Sequence, residues 1–490
     1  MNREFKTREL KYVDFHVHKK ENKLPPVLVV DSICGSGKTQ AAIEYINTAP
    51  VHTRFLYVTP YITEIERIIT SCPNVDFHTP DVKKNEKGFK MTGFQYLFDK
   101  GENIVCTHKL FSMFTPNNFK IAEAYHYTLI MDEVADVVQK YSVNSATLWT
   151  LFNPELNYVH VDENTNQIIL NKETDFFEKG YSNAELLETW GEQGLELIEK
   201  IKNGCIYLYG SKYEDILQSY KEGCKPEEFS ANIIMWAFPV EIFKSFEKVF
   251  ILTYMFSGQY QANYYKYFDI PYKYLHTEPV GLRDENTNVP RYQYKDQVYS
   301  KPQEPEYAKY KDLIEIVEGK INLIGASTKN AKGGEKNTAL CKNWYIDTQK
   351  SSNNDAETLK KNTFNFFNNM CKVYSSKDII WTTFLEYKNK IKKAPFSKES
   401  CFVSCNARAT NEYQDRHCCA YLINVYMDPF VRQFFLYRGI EPDQETYALS
   451  ELIQWLFRSA IRQGESIKLY IPSQRMRELL EDWLDGNYKY

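Results

Sequence analysis

VVDSICGSGKTQAAIEYI, residues 29–46, is the stretch from which the fold is read. The run PPVLVV at 25–30 is continuously apolar and β-branched, as a strand buried on both faces requires. It stops at Asp31. A glycine-containing loop, SICGSGKT, follows, and then QAAIEYI, whose apolar residues recur at helical spacing. Strand, glycine loop and helix in that order form a phosphate cradle. The pattern G-x-x-x-x-G-K-[ST] is met from Ser32 through Gly37, Lys38 and Thr39, with Ser32 in place of the first glycine. Gly35 and Gly37, flanking Ser36, let the backbone N–H groups turn inward toward phosphate oxygens, and the helix start adds partial positive charge. Lys38 is expected to neutralise the β and γ phosphates and Thr39 to ligate magnesium, so the chain is expected to use ATP and Mg2+.

Such a cradle needs a carboxylate at the end of a neighbouring strand. YTLIMDEVAD, residues 127–136, supplies it: a second buried-strand run ends at Asp132 and Glu133. In that arrangement Asp132 holds the metal shell and Glu133 polarises the attacking water. Two further runs end in polar residues, RFLYVTPY at Thr59, Pro60 and Tyr61, and NIVCTHKL at Thr107 and His108. The carboxyl ends of parallel strands face the ligand side of an open α/β sheet. Far downstream, ELIQWLFRSAIRQGE at 451–465 carries apolar residues at helical spacing, which predicts one amphipathic helix. Gln454, Arg458 and Arg462 then fall at i, i+4 and i+8, along one edge of its buried face.

Taken together these motifs resemble the superfamily-two helicases and translocases of the DEAD/DEAH-like group. DSICGSGKT is similar to motif I, VTPY to motif Ia, CTHKL to motif Ib and DEVAD to motif II. VFILTYMFSG at 249–258 stands where motif III belongs, with Thr253-Tyr254-Met255 replacing the usual S-A-T. The stretch around Gln454, Arg458 and Arg462 resembles motif VI, with Phe457 in place of its glycine and the arginines four apart rather than three. CFVSCNARATNEYQDRHCCAYLINVYMDP has the shape of motif V, a strand ending at Cys405 and a polar loop with Arg408, Thr410 and Asn411. KINLIGASTKN at 320–330 and DIIWTTF at 378–384 read as further strands, offering Ser327, Thr328 and Thr382.

The resemblance implies two RecA-like parallel-sheet domains in tandem, an α/β fold, with ATP in the cleft between them. Catalysis would fall to Lys38, Glu133, Gln454 and one of Arg458 and Arg462, with Arg458 the first choice as γ-phosphate finger. Thr59, Pro60, Thr107, His108, Thr328, Thr382, Arg408 and Thr410 would meet a nucleic-acid backbone. The implied activity is an ATP-dependent helicase or translocase, with DNA favoured over RNA. The alternatives are another P-loop motor, such as a genome-packaging ATPase, or a nucleotide-gated nucleic-acid-binding switch that does not unwind.

The organisation expected is a first domain over 1–270, a linker over 271–310 and a second domain over 311–490. Asp132 and Thr253 lie 121 positions apart, so a mostly helical insertion is expected at about 140–240. The segment after 270 is polar and proline-containing, hence the linker assignment. A net charge of -4 excludes a global polycation, so any nucleic-acid contact must gather positive charge locally. The start, MNREFKTREL, lacks the apolar run of a leader and no stretch is long enough to span a bilayer, so a cytoplasmic protein with reduced thiols is expected. Cys401, Cys405, His417, Cys418 and Cys419 could make a zinc set, but no C-x-x-C knuckle is present and a structural role is the expectation.

Overall fold

Eight strands build the first sheet, and the order in which they lie side by side positions everything that follows. The computed structural model describes residues 27–80, 90–171, 183–210, 213–229, 233–283, 290–329, 334–350, 353–405 and 412–488. In chain order the first strands are β1 (Val27–Asp31), β2 (Arg54–Thr59), β3 (Phe77–His78), β4 (Asn103–Thr107) and β5 (Tyr127–Asp132). An insertion follows with β6 (Val138–Lys140), a β7–β8 hairpin (Val159–Val161, Ile168–Leu170), β9 (Ile206–Leu208) and β10 (Ile234–Ala237). The chain then returns to the sheet with β11 (Lys248–Thr253), β12 (Tyr272–Arg283) and β13 (Pro290–Tyr299). The sheet order is β13-β12-β1-β11-β5-β2-β4-β3. All neighbours are parallel except the β12–β13 pair. β1 is buried at all five positions, as its unbroken apolar sequence requires. Helix α1 (Lys38–Thr48) starts at the glycine loop and packs Ala41, Ala42, Ile43 and Tyr45 into the core beneath the sheet.

The second sheet is a separate four-stranded layer. After β14 (Ile314–Ile316) and the short antiparallel pair β15 (Thr328–Lys329) and β16 (Glu335–Lys336) come β17 (Ile379–Thr382), β18 (Cys418–Tyr421) and β19 (Ile467–Tyr470). Its order is β14-β19-β18-β17, every pair parallel. The architecture is therefore two parallel-sheet α/β units in tandem, as expected. Ser473 caps the closing helix Gln474–Leu484 by accepting from the Met476 amide.

Several local expectations are corrected. Residues read as part of a linker form β12 and β13, a two-stranded arm that continues the first sheet. The arm looked irregular because it alternates tyrosines with polar residues, the pattern of a ribbon buried on one side only. The insertion has more helix than strand, yet it carries its own antiparallel sheet, β6-β10-β9. KINLIGASTKN is a 3-10 turn over Lys320–Gly325 followed by β15, because Gly319 and the buried Asn322 set a tight turn in place of an extended run. CFVSC begins at the end of a 3-10 turn over Glu399–Cys401 and makes a single bridge from Phe402 to Trp381, so among the described residues β17 has no strand beyond it there.

The largest correction concerns 451–465. The helix runs only over Gln444–Leu456. Phe457, Arg458 and an extended Ser459 leave it, and a 3-10 turn follows over Ala460–Gln463. Phe457, Ala460 and Ile461 are still buried, so the apolar spacing was real, but it is satisfied through a turn and not along one continuous cylinder. Arg458 and Arg462 therefore do not share a helical stripe.

One helix from late in the chain belongs to the early core. Pro429–Leu436 places Val431, Phe434 and Phe435 in the same apolar cluster as the insertion and the first sheet. Lys140 lies 4.4 Å over the Phe430 ring, and Arg438 lies 3.7 Å over Phe434.

Candidate functional site

The glycine loop closes on itself along a path that its two glycines permit. Gly35 and Gly37 take φ of 82° and 83°, the left-handed region that costs other residues dearly. Lys38 Nζ donates to the carbonyls of Ser32 and Ile33 at 2.5 and 3.1 Å, so the ammonium sits in the mouth of the loop on internal acceptors. Ser32 and Ser36 hydroxyls meet at 2.7 Å. Thr39 Oγ1 lies 3.5 Å from Asp132 Oδ2. A hydroxyl and a carboxylate so placed are the hard oxygen donors that Mg2+ takes, beside backbone N–H groups suited to phosphate.

Asp132 is tuned by its surroundings. Burial, and next the charge of Glu133, push its carboxyl up to about 7. Tyr57, from β2, donates to Asp132 Oδ2 at 3.2 Å and partly offsets that rise. His108 Nε2 bonds the Asp132 carbonyl at 2.8 Å, which ties the end of β4 to the end of β5. Glu133 then turns through φ 69° while its amide donates to Leu252 O at 2.9 Å.

Asp31 was read only as the end of a strand. It is fully buried, and its carboxylate accepts the Met255 and Phe256 amides at 2.7 and 2.9 Å. Burial pushes it up to about 6 despite those bonds and the nearby Lys38. It locks the turn after β11, the candidate motif III, onto the strand that carries the loop. An acidic residue ending an apolar strand immediately before the loop was the signal available for it.

The two units also share a cavity, which Glu133 lines but none of residues 32–39 does. This cavity of about 710 Å³ is lined by Pro60, His108, Glu133 and Asp136 from the first unit and by Gln454 and Arg458 from the second. Arg458 is 4 % exposed, and its Nε and Nη1 have no hydrogen-bond partner. Burial lowers its pKa, against the opposing charges of Glu451 and, more weakly, Glu133. Arg462 approaches the loop differently: its carbonyl lies 3.9 Å from where a Cβ on Gly35 would stand. Cys34, whose thiol burial raises, feels Lys38 and Glu133 from its own unit and Arg462 and Arg458 from the other.

The remaining candidates are scattered. Thr59 and Thr382 are fully buried, with no hydrogen-bond partner at either hydroxyl. The Thr107 hydroxyl caps the turn of helix at His108–Phe111. Thr328 is exposed on β15. Arg408 and Thr410 lie outside the described residues. Of the cysteine and histidine set, His417 is held between Asp378 at 2.8 Å and Glu465 at 2.9 Å, while Cys418 and Cys419 are buried in β18. No described helix is long and apolar enough to cross a membrane.

Residues 308–484 match the family described as the YonV C-terminal Rossmann-like domain. Among solved structures, the chain is similar to one titled XPD_APO, with a TM-score of 0.44 and 11 % identity over 93 % of this chain and 95 % of that one. It is also similar to the structure of S. tokodaii Xpd4, with a TM-score of 0.39 and 11 % identity over 94 % of each chain. A much nearer likeness is to the SPbeta prophage-derived uncharacterized protein YonV of Bacillus subtilis (strain 168). The two are 34 % identical over 463 residues, 94 % of this chain and 99 % of that protein. The chain belongs to the YonV family.

Proposed function

We propose that this chain is an ATP-dependent nucleic-acid translocase or helicase whose two α/β units work against each other across the cleft. The observation that carries the reading is Arg458, a buried guanidinium with unpartnered donors, delivered by one unit into a cavity it shares with Glu133 of the other. Buried guanidinium donors left without a hydrogen bond cost about 1–3 kcal/mol or more, so a fold retains them where a ligand completes them. A terminal phosphate is such a ligand.

In this reading Lys38 exchanges its two carbonyl partners for phosphate oxygens, and the N–H groups around Gly35 and Gly37 orient the chain of phosphates. Magnesium, held by Thr39 and Asp132, would neutralise phosphate charge. Glu133 polarises a water for in-line attack, and Arg458 stabilises the charge that develops. Because Arg458 and Glu133 belong to different units, hydrolysis relaxes the closed cleft, and the surfaces of the two units shift relative to one another. DNA is the favoured track.

The test is ATP hydrolysis measured with single-stranded DNA, duplex DNA and RNA added in turn, beside a strand-displacement assay. Stimulation by one nucleic acid, abolished in Arg458→Ala, is the expected result. Hydrolysis indifferent to all three nucleic acids would sink the translocase reading and leave a nucleotide switch.

A further inference from the structure

We infer that Tyr292, on the β12–β13 arm, is the stacking platform for the base of the nucleotide whose phosphates occupy the Gly35–Thr39 loop. The inference rests on the proposed nucleotide site and adds the group that would position the nucleoside.

The sheet order fixes the direction in which a nucleotide must lie. Asp132 and Glu133 end β5, two strands from β1 on one side. A terminal phosphate directed at them leaves the nucleoside to emerge on the other side of β1, where β12 and then β13 lie. β12 pairs with β1 only over Tyr272–Tyr274, opposite Val27–Val29, yet it continues to Arg283. The arm therefore runs on past the carboxyl edge of the sheet, alongside the loop. Thr277 Oγ1 donates to the Ser36 carbonyl at 3.1 Å, which fastens the arm to the loop directly.

Among the described residues of the arm, Tyr292 reaches the loop with its ring. A Cβ built on Gly37 would lie 2.2 Å from Tyr292 Cγ, so the ring rests flush on the glycine and no other residue fits beneath it. The ring remains partly exposed. Its neighbours hold it there. Arg291 makes a two-pronged bond to Glu44 of α1, at 2.5 Å for each oxygen. Tyr294 is buried and stacked on Phe250 with centroids 5.7 Å apart and planes 11° from parallel. A ring carried on a strand anchored on both sides of it loses little freedom when a base stacks on it. Stacking does not read hydrogen-bond edges, so it grades bases by ring size, purine above pyrimidine.

The experiment measures KM and kcat for ATP, GTP and CTP, and the affinity for inorganic triphosphate, in wild type, Tyr292→Ala, Tyr292→Leu and Tyr292→Trp. Expected for both Tyr292→Ala and Tyr292→Leu is a rise in KM for the purine nucleotides on the order of 5- to 100-fold. The kcat should hold within about twofold and inorganic triphosphate should bind as to wild type, with Tyr292→Trp retaining affinity. The leucine variant keeps a side chain packed on Gly37, so a loss seen only in the alanine variant would assign Tyr292 to loop support and overturn the inference. So would an equal loss for inorganic triphosphate, or tighter nucleotide binding, which would make the ring a plug. If wild type binds no nucleotide, or binds it unaffected by Lys38→Ala, the proposed nucleotide site itself fails, a result separate from unchanged KM in the Tyr292 variants.

Discussion

The side-chain amide of Gln259 donates to the Ser450 hydroxyl at 2.7 Å, buried between the first unit and the helix that leads to Arg458. The contact is close because Gly258 precedes it: a Cβ there would stand 2.7 Å from the backbone of Thr446 and Tyr447. Gly258→Ala should wedge the helix outward, at an overpacking cost of about 1–3 kcal/mol. Arg458 moves with it. Nucleotide affinity should stay within about twofold while turnover falls by about tenfold or more, which is ~1.4 kcal/mol of barrier. Equilibrium binding of a fluorescent nucleotide beside steady-state hydrolysis checks it, and parallel losses in both would refute the coupling.

Lys38→Ala and Glu133→Gln should separate binding from chemistry. Lys38 loses its ammonium at the phosphates, so nucleotide affinity should fall by about tenfold or more. Glu133→Gln keeps the Thr39–Asp132 pair intact. It should bind nucleotide normally and hydrolyse it about a hundredfold or more slowly. Wild-type turnover in Glu133→Gln would remove Glu133 from the mechanism.

Arg458→Ala should make the protein slower and more stable at once. An arginine finger is worth about a thousandfold in turnover. The same guanidinium, with Nε and Nη1 unpartnered, is a standing cost to the folded state without ligand. Its removal should therefore raise the melting temperature of the ligand-free protein by a degree or more while hydrolysis collapses. Arg462→Ala should not raise the melting temperature in the same way, since Arg462 is only partly buried. A finger mutant that loses stability and keeps turnover would reverse the assignment.

Acidity should act through Asp31 and Asp132, raised to about 6 and about 7 by burial. A carboxyl whose folded pKa is raised binds protons more readily folded than unfolded. The stabilising contribution is thus full below the ordinary carboxylate range and is lost as pH rises through those values. Metal-free protein should melt lower at pH 8 than at pH 5.5 on this account. On the proposed reading magnesium would displace the proton from Asp132, so its stabilising effect should grow from pH 6 to pH 8. Asp132→Asn should flatten the magnesium trend and weaken the metal-free one, leaving the part due to Asp31, in a melting series run with and without magnesium.

The loop at Gly35–Thr39 and the Asp132–Glu133 pair were legible because each is a local pattern on a continuous apolar strand. The tandem parallel-sheet plan followed from them. What was illegible depends on contacts far apart in sequence. The β12–β13 arm reads as a linker until Arg291 is seen on Glu44 and Tyr294 on Phe250. Arg458 reads as helical because Phe457, Ala460 and Ile461 keep an apolar spacing that a turn satisfies equally well. Asp31 stands out in the sequence as an acid closing an apolar strand, but its partners in the Met255 turn lie 224 and 225 positions away and are not legible there.

The helix Pro429–Leu436 bears on how the chain is made. Val431, Phe434 and Phe435 fill a core otherwise built from residues before 275. A ribosome adds ~5–20 residues per second, so this core waits roughly 6 to 30 seconds after β13 emerges before its last apolar layer arrives. During that interval the faces around Tyr207 and Tyr267, which later pack on Phe434, are bare. A fragment cut between the two sheets would carry the same exposed surface permanently. The nascent first half should therefore be a client for chaperones, and the isolated half should aggregate unless residues 429–436 are supplied with it.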